Sequence, residues 1–338
     1  MIRLLWNTAV IGAVCLLIGC SDGGSAAGPV QASRSGDSSV LQQEEQARRQ
    51  SRNPDQLRIP VADFFPEGIA HAADGTFYVG SYSTGRVMRQ RPGRSTMEPF
   101  LPRGPEGRGV VGMKVHDATH TLWLCDLDLN AVTPDVVKAY DTRTGALRGA
   151  FPFPLGGWCN DLTLDSQGNV YVTDSALGVI YRWRRGASQL EVWSSDPRFL
   201  SSSGGPALNG IAWGDGAIAV VNSDSGALFR ISIQPDGSAG TVTLITLDAS
   251  IGFPDGLLVL SPGVLLVVDN DNGKLFRVNL SDDTGVVTLL ATGLDNPTTV
   301  ALHDGDAFVV ESQFDHFFGV DPTPPDQPFR VKRVWLHP

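Results

Sequence analysis

One pattern constrains this 338-residue chain more than any other: from about residue 57 onward it repeats. Aligned without gaps, the repeats begin Glu67-Gly68-Ile69-Ala70, Gly112-Met113-Lys114-Val115, Asn160-Asp161-Leu162-Thr163, Asn209-Gly210-Ile211-Ala212, Asp255-Gly256-Leu257-Leu258 and Pro297-Thr298-Thr299-Val300, with starts 42–49 residues apart. Each opens on a polar or small residue, runs on as a short apolar strand, turns, and returns as a β-rich strand. The turns have hairpin chemistry: Asp74-Gly75, Gln167-Gly168, Asp215-Gly216, Pro262-Gly263 and Asp304-Gly305. A second hairpin follows in several repeats, opening at Gly85, Gly178, Gly226 and Gly273. Four strands in roughly 45 residues is the period of a propeller blade. The expected fold is all-β: a six-bladed β-propeller of four-stranded blades over residues 57–338. Closure is expected from a strand near Leu57–Val61 pairing with one over Phe329–Leu336.

Composition agrees with the repeat. The 38 Gly and 22 Pro interrupt the chain too often for a helical bundle. A hydrophobic fraction of 42% against 18% charged residues excludes a disordered protein. The net charge of −10 repels phosphate backbones, so no nucleic-acid partner is expected. The four cysteines form no C-x-x-C pair, which argues against a zinc site or a disulfide scaffold.

The N-terminus reads as a targeting segment. Arg3 and the apolar run Leu4 to Ile18 have the character of a secretory signal peptide over residues 1–19. Leu17-Ile18-Gly19-Cys20 resembles the lipobox of bacterial lipoproteins, in which the cysteine is lipidated and becomes the new N-terminus. Residues 20–56 then read as the lipidated Cys20 and a flexible Ser/Gly/Ala- and Gln/Glu-rich tether. The expected location is the bacterial cell envelope, with the N-terminal lipid anchor in the membrane. The residue after the cysteine is Ser21 rather than Asp, which favours the outer membrane and periplasm over the inner membrane.

In a propeller the residue before each inner strand lies at one mouth of the central channel. That column reads Glu67, Gly112, Asn160, Asn209, Asp255, Pro297. Two carboxylates and two amide oxygens around one axis suit a hard divalent cation such as Ca²⁺, and the absence of His and Cys argues against zinc and copper. A second column closes each second strand: Ser81, Asp126, Asp174, Ser223, Asp269, Glu311. These residues are expected near the same mouth, capping loops or supporting the ligands. Cys125 and Cys159 fall at matching ends of neighbouring blades. A disulfide is open to them in an oxidising compartment, but the expectation from sequence is a pair of buried free thiols.

The repeat and the column together resemble the SMP-30/gluconolactonase/LRE-like propellers, kin to diisopropylfluorophosphatases and paraoxonases, over residues 57–338. In that family a first-blade Glu, third- and fourth-blade Asn residues and a fifth-blade Asp line a divalent-metal site. Glu67, Asn160, Asn209 and Asp255 match in type, blade and order. The resemblance implies a metal-dependent hydrolase of a lactone or related ester, with Asp255 as base or nucleophile and Asn160 orienting substrate. Sugar-lactonase members carry an Arg two residues before the third-blade Asn and a Glu eighteen residues after it; here these are Trp158 and Gly178. Trp158 therefore implies a more apolar lactone or ester as the small-molecule partner. His116 is the other residue expected to touch substrate; it and His71 lie four residues past the column, as channel-wall residues. A monomeric propeller is expected. The second reading is a non-catalytic, surface-tethered propeller that binds a ligand or protein and carries structural calcium. A lyase or oxidoreductase on the same fold has less support, since C-x-x-C-H and Rossmann fingerprints are both absent.

Overall fold

The computed structural model describes residues 55–94 and 96–336. The expected signal peptide, Cys20 and all but the last residues of the tether lie outside the described residues. The described chain is all-β and is built from antiparallel runs of four strands. After β1 (Gln56–Ile59), the first run comprises β2 (Pro66–His71), β3 (Phe77–Ser81), β4 (Val87–Gln90) and β5 (Glu98–Leu101). The second comprises β6 (Arg108–His116), β7 (Thr121–Asp128), β8 (Val136–Asp141) and β9 (Leu147–Pro152). The third comprises β10 (Cys159–Leu164), β11 (Val170–Asp174), β12 (Val179–Trp183) and β13 (Glu191–Ser195). Next come β14 (Leu208–Gly214), β15 (Ala217–Asn222), β16 (Ala227–Ile233) and β17 (Ala239–Leu247), then β18 (Pro254–Ser261), β19 (Val264–Asp269), β20 (Lys274–Ser281) and β21 (Thr284–Ala291). These two runs share one sheet through a short parallel pairing of β17 with β21 at Thr246↔Thr284 and Leu247↔Gly285.

The last run joins the two ends of the described chain. It comprises β22 (Pro297–His303), β23 (Asp306–Glu311) and β24 (Phe329–Val334), and β1 completes it with Leu57 opposite Val331. This is the closure expected from the sequence. The first strand of each run packs on the first strand of the next: β2 on β6, then β10, β14, β18 and β22, which returns to β2. Thr298 and Thr299 close the circle by donating their hydroxyls to the Glu67 carbonyl at 2.8 and 2.6 Å. Apolar clusters fill the gaps between runs, such as Val79, Phe308 and Phe329 between the first and last. Each such side chain, fully buried, stabilises the fold by roughly 1.5–3 kcal/mol. The predicted turns form; Asp215-Gly216 and Asp304-Gly305 both have positive φ at each residue, the type I′ geometry that matches strand twist.

Every inner strand carries the same irregularity. The ladder steps from Pro66↔Ser81 to Ile69↔Val79, leaving Glu67 and Gly68 opposite a single partner residue. The same one-residue bulge recurs at Val111-Gly112, Asn160-Asp161, Asn209-Gly210, Asp255-Gly256 and Thr298-Thr299. A bulge bends its strand and re-aims a side chain. It also corrects the column read from sequence: the structural equivalents of Glu67 are Val111 and Thr298, not Gly112 and Pro297. In the second column the partner of Leu208 is Asn222, so Asn222 takes the place expected for Ser223. Gapless alignment could not place an extra residue whose only signature is hydrogen bonding.

The second bulge residue explains the glycines there. A Cβ at Gly68 would collide with the Val111 carbonyl oxygen, one at Gly210 with the Asp255 carbonyl oxygen, and one at Gly256 with the Thr298 carbonyl oxygen. Adjacent inner strands thus approach more closely than side chains allow. Only Asp161 and Thr299 put a side chain at this position.

Cys125 and Cys159 form a disulfide with a Cα–Cα separation of 5.5 Å, which corrects the expectation of free thiols. Cys125 precedes Asp126, which pairs with Val110, and Cys159 pairs with Asp174, so both sulfurs sit at the bulge end of neighbouring runs. That separation lies inside the range a disulfide can span.

Candidate functional site

The bulges gather acids at one end of the ring. Glu67, Asp161 and Asp255 are 4%, 4% and 8% exposed, yet among the described residues no Lys or Arg lies within 4.0 Å of any of them. Burial, then the charges of Asp255 and Asp161, holds the Glu67 carboxyl well above its usual range. Burial, then Asp161 and Asp271, does the same to Asp255, with the Asn209 amide working the other way. Burial also raises Asp161, against Lys114 and two backbone N–H groups. Buried carboxylates of like sign are stable only if protonated or neutralised by a cation.

Two atoms in this group have no partner. Glu67 Oε2 and Asn209 Oδ1 are buried and accept no hydrogen bond among the described residues. The Asn209 Nδ2 donates to Ser223 Oγ at 3.0 Å, which fixes the amide so that Oδ1 is the free face. Ser223 in turn donates to the Pro254 carbonyl at 2.6 Å, beside Asp255. These orphaned oxygens come from the expected ligand column and fit a hard cation with oxygen donors.

Asp161 was not anticipated. Its Oδ1 accepts the Leu162 N–H at 2.8 Å and its Oδ2 the Ile211 N–H at 3.2 Å, so it clamps β10 to β14 while adding charge beside Glu67 and Asp255. It fits because Gly112 leaves space: a Cβ there would collide with Asp161. The sequence signal was the absence of Gly after Asn160, where most repeats have one. Asn160 itself is half-buried at the bulge and makes no side-chain hydrogen bond among the described residues.

In the second column Asp174, Asp269 and Glu311 cap loops, whereas Asp126 is ion-paired with Arg108 and Lys138. Asp174 Oδ1 accepts the N–H groups of Trp158, Ala176 and Leu177 at 3.0 Å each. Asp269 Oδ1 accepts Phe253 N–H at 3.0 Å, and Glu311 Oε1 accepts Asp295 N–H at 3.2 Å. These contacts fix the segments that lead into the ligand column. Asp135 does the same from the second run, accepting Cys159 N–H at 2.7 Å, with burial pushing its carboxyl up to about 6.

Trp158 lies half-buried just before β10, packed on the cluster that contains Cys125, Cys159 and Tyr82. Phe314 and Phe317 pack on the same cluster. They belong to the long connection from β23 to β24, in a single helical turn over Phe314–Phe317. Tyr82 meets Phe314, Phe317 and Phe318 at ring-centroid distances of 4.9, 5.2 and 6.0 Å, and Phe65 meets Phe317 at 5.0 Å. Burial first, then the Glu67 charge, pushes the Tyr82 hydroxyl far above its usual range. The Tyr82 N–H donates to the Phe65 carbonyl at 2.9 Å, two residues before Glu67, which ties this aromatic wall to the segment that carries the first acid. The run Phe314-Asp315-His316-Phe317-Phe318 was the sequence signal for it.

His116 is not at this mouth. It ends β6, opposite Thr121 at the hairpin, with Nδ1 bonded to Thr119 Oγ1 at 2.7 Å. Five residues of strand separate it from the Val111 bulge, roughly 16 Å. His116 therefore lies at the opposite end of the channel wall from the ligand column.

No family model and no curated protein matches the chain. Solved structures do. A gluconolactonase of Xanthomonas campestris superposes with a TM-score of 0.58 at 17% identity, covering 85% of this chain and 92% of that one. Luciferin-regenerating enzyme gives 0.57 at 14% identity, covering 82% and 92%. Virginiamycin B lyase from Staphylococcus aureus gives 0.55 at 18% identity, covering 76% and 80%. These are SMP-30-like propellers, and the chain shares that class of fold.

Proposed function

We propose that this protein is a six-bladed propeller hydrolase of lactones or related esters that works with a divalent cation, Ca²⁺ by donor chemistry. The observation that carries the reading is the pair of orphaned buried oxygens, Glu67 Oε2 and Asn209 Oδ1, set among unpaired buried acids. Glu67, Asn160, Asn209 and Asp255 would hold the ion, which when bound supplies a Lewis acid for the substrate carbonyl. Asp255 accepts a proton from the attacking water as the new C–O bond forms. The ring C–O bond then breaks, and the proton passes to the departing alkoxide to give the hydroxy acid. The Asn160 amide N–H groups donate to the carbonyl oxygen as its charge grows. Trp158, Tyr82, Phe314 and Phe317 offer an apolar wall, which favours aliphatic or aromatic lactones over sugar lactones. Lipidation of Cys20 would hold the domain, residues 57–338, at the cell envelope through the tether 20–56.

The test is proton release from the full-length chain over a panel of aliphatic, aromatic and sugar lactones. Turnover of the apolar lactones, lost with chelator and restored by Ca²⁺, is expected. Asp255→Asn is expected to lower kcat/KM by about 10²–10⁴-fold. Stabilisation by Ca²⁺ without turnover of any substrate would replace this reading with a calcium-bearing binding propeller.

A further inference from the structure

A second cavity lies at the other end of the molecule, between the second and third runs. Its volume is about 200 Å³, enough for one ring and a small substituent. Trp123, Phe151 and Trp183 form its apolar wall, with centroid separations of 4.7 Å for the two indoles and 5.3 Å from Phe151 to Trp183. The Trp183 Nε1 is spent on the Ala187 carbonyl at 2.8 Å, so that indole presents ring and not donor.

The polar side of the cavity is His116, Arg148 and Arg185. Arg148 is neutralised by Asp141, and its Nη1 donates to Thr121 Oγ1 at 2.8 Å. The Thr121 and Thr119 hydroxyls lie 2.9 Å apart, and Thr119 Oγ1 lies 2.7 Å from His116 Nδ1. That contact occupies Nδ1 and leaves Nε2 as the ring nitrogen without a hydrogen-bond partner among the described residues. Gly168 sits between that nitrogen and Arg185: a Cβ there would lie 3.4 Å from His116 Nε2 and 3.7 Å from Arg185 Cδ. Among the described residues, no carboxylate lies within 4.0 Å of either His116 or the exposed Arg185. The His116 ring nitrogen and the Arg185 side chain therefore both border the edge of an aromatic wall.

We infer that this cavity binds a small aromatic carboxylate, its ring against Trp183 and Phe151 and its carboxylate shared by His116 Nε2 and Arg185. A monoanion matches one uncompensated guanidinium, and charge-assisted hydrogen bonds fix its orientation. The wall supplies the apolar contact that a bare inorganic anion lacks. The site lies apart from the acid-lined mouth and is independent of catalysis there.

Benzoate is the probe, benzyl alcohol its uncharged counterpart, and the readouts are calorimetric titration and tryptophan fluorescence on the full-length chain in chelator. Saturable one-to-one binding of benzoate is expected, with benzyl alcohol at least tenfold weaker. Arg185→Gln, at an exposed position, is expected to remove that preference without changing Tm. Trp183→Leu is expected to weaken both ligands. Equal affinity for the two ligands, unchanged benzoate affinity in Arg185→Gln, or benzoate binding that appears only when Ca²⁺ is added would each overturn the assignment.

Discussion

The inner strands are one repeated element, yet the two ends of the ring carry opposite chemistry. At the bulge end lie Glu67, Asp161 and Asp255, buried acids without a cationic partner among the described residues. At the hairpin end lie His71, His116 and His303. His71 and His303 meet at a 50° tilt with ring centroids 4.4 Å apart, and His71 meets Phe77 at 4.6 Å. Burial, then the proximity of His303, pushes the His71 imidazole down to about 4. Burial shifts the acids, His71 and His303 toward neutrality, but for the acids that means holding a proton and for these two imidazoles losing one. The acid end thus gathers buried carboxylates, whereas burial at the other end disfavours the charged forms of His71 and His303. The bulge recurs in all six inner strands at the acid end, where it re-aims Glu67, Asn160, Asn209 and Asp255.

The largest expected effect of breaking this contrast comes from the Cys125–Cys159 disulfide, which fastens two runs at the acid end and closes a loop of 34 residues. Cys125→Ser with Cys159→Ser is expected to cost about 3–4 kcal/mol, read as a lowered denaturation midpoint. Little change in midpoint would show that the acid end is held by sheet packing alone.

Cation binding sharpens the comparison next. Ca²⁺ at about 100 times its Kd is expected to stabilise the protein by about 3 kcal/mol, or roughly 5 °C in Tm. Glu67→Gln is expected to abolish that gain while leaving Tm in chelator unchanged or higher, because an amide is less costly to bury beside Asp255 than a second carboxylate. Equal Ca²⁺ stabilisation of both proteins would remove Glu67 from the ligand set.

The smallest effect belongs to the imidazole end. His71 has its folded pKa depressed from about 6.5 to about 4. Its neutral form therefore contributes stability that is present above pH 6.5 and lost as pH falls through 4. The loss is on the order of 2 kcal/mol, less than the full shift because part of the ring faces solvent. His71→Gln is expected to flatten the stability profile over that window in urea titrations at fixed ionic strength. A profile identical to wild type would place the low-pH loss elsewhere.

Much of this architecture was legible beforehand, because a repeat writes the same hydrophobic alternation and turn dipeptides several times over. The four-strand unit, the hairpins at Asp215-Gly216 and Asp304-Gly305, and the pairing of Leu57 with Val331 all follow from side-chain pattern. The residue types and order of Glu67, Asn160, Asn209 and Asp255 were equally visible. What remained hidden depended on geometry between strands. The bulge moved the column from Gly112 to Val111 and from Pro297 to Thr298, since an extra residue in a ladder leaves no mark on hydrophobic alternation. Asp161 carried no assignment in the repeat, because its place depends on the room that Gly112 leaves on the adjacent strand. His116 could be placed on the channel wall but not at an end of it, because that depends on strand direction and length in three dimensions.

By itself, then, the sequence determined the element types, their number per repeat and the oxygen-donor chemistry of one column. Those are properties of residues taken a few at a time along the chain. Only the tertiary structure decided which residues meet across blades. It joined Cys125 to Cys159, set Tyr82 against Phe314, and left Glu67 Oε2 and Asn209 Oδ1 without partners among the described residues. Such contacts join residues tens to hundreds of positions apart, and their distances are fixed by the ring and not by any local preference.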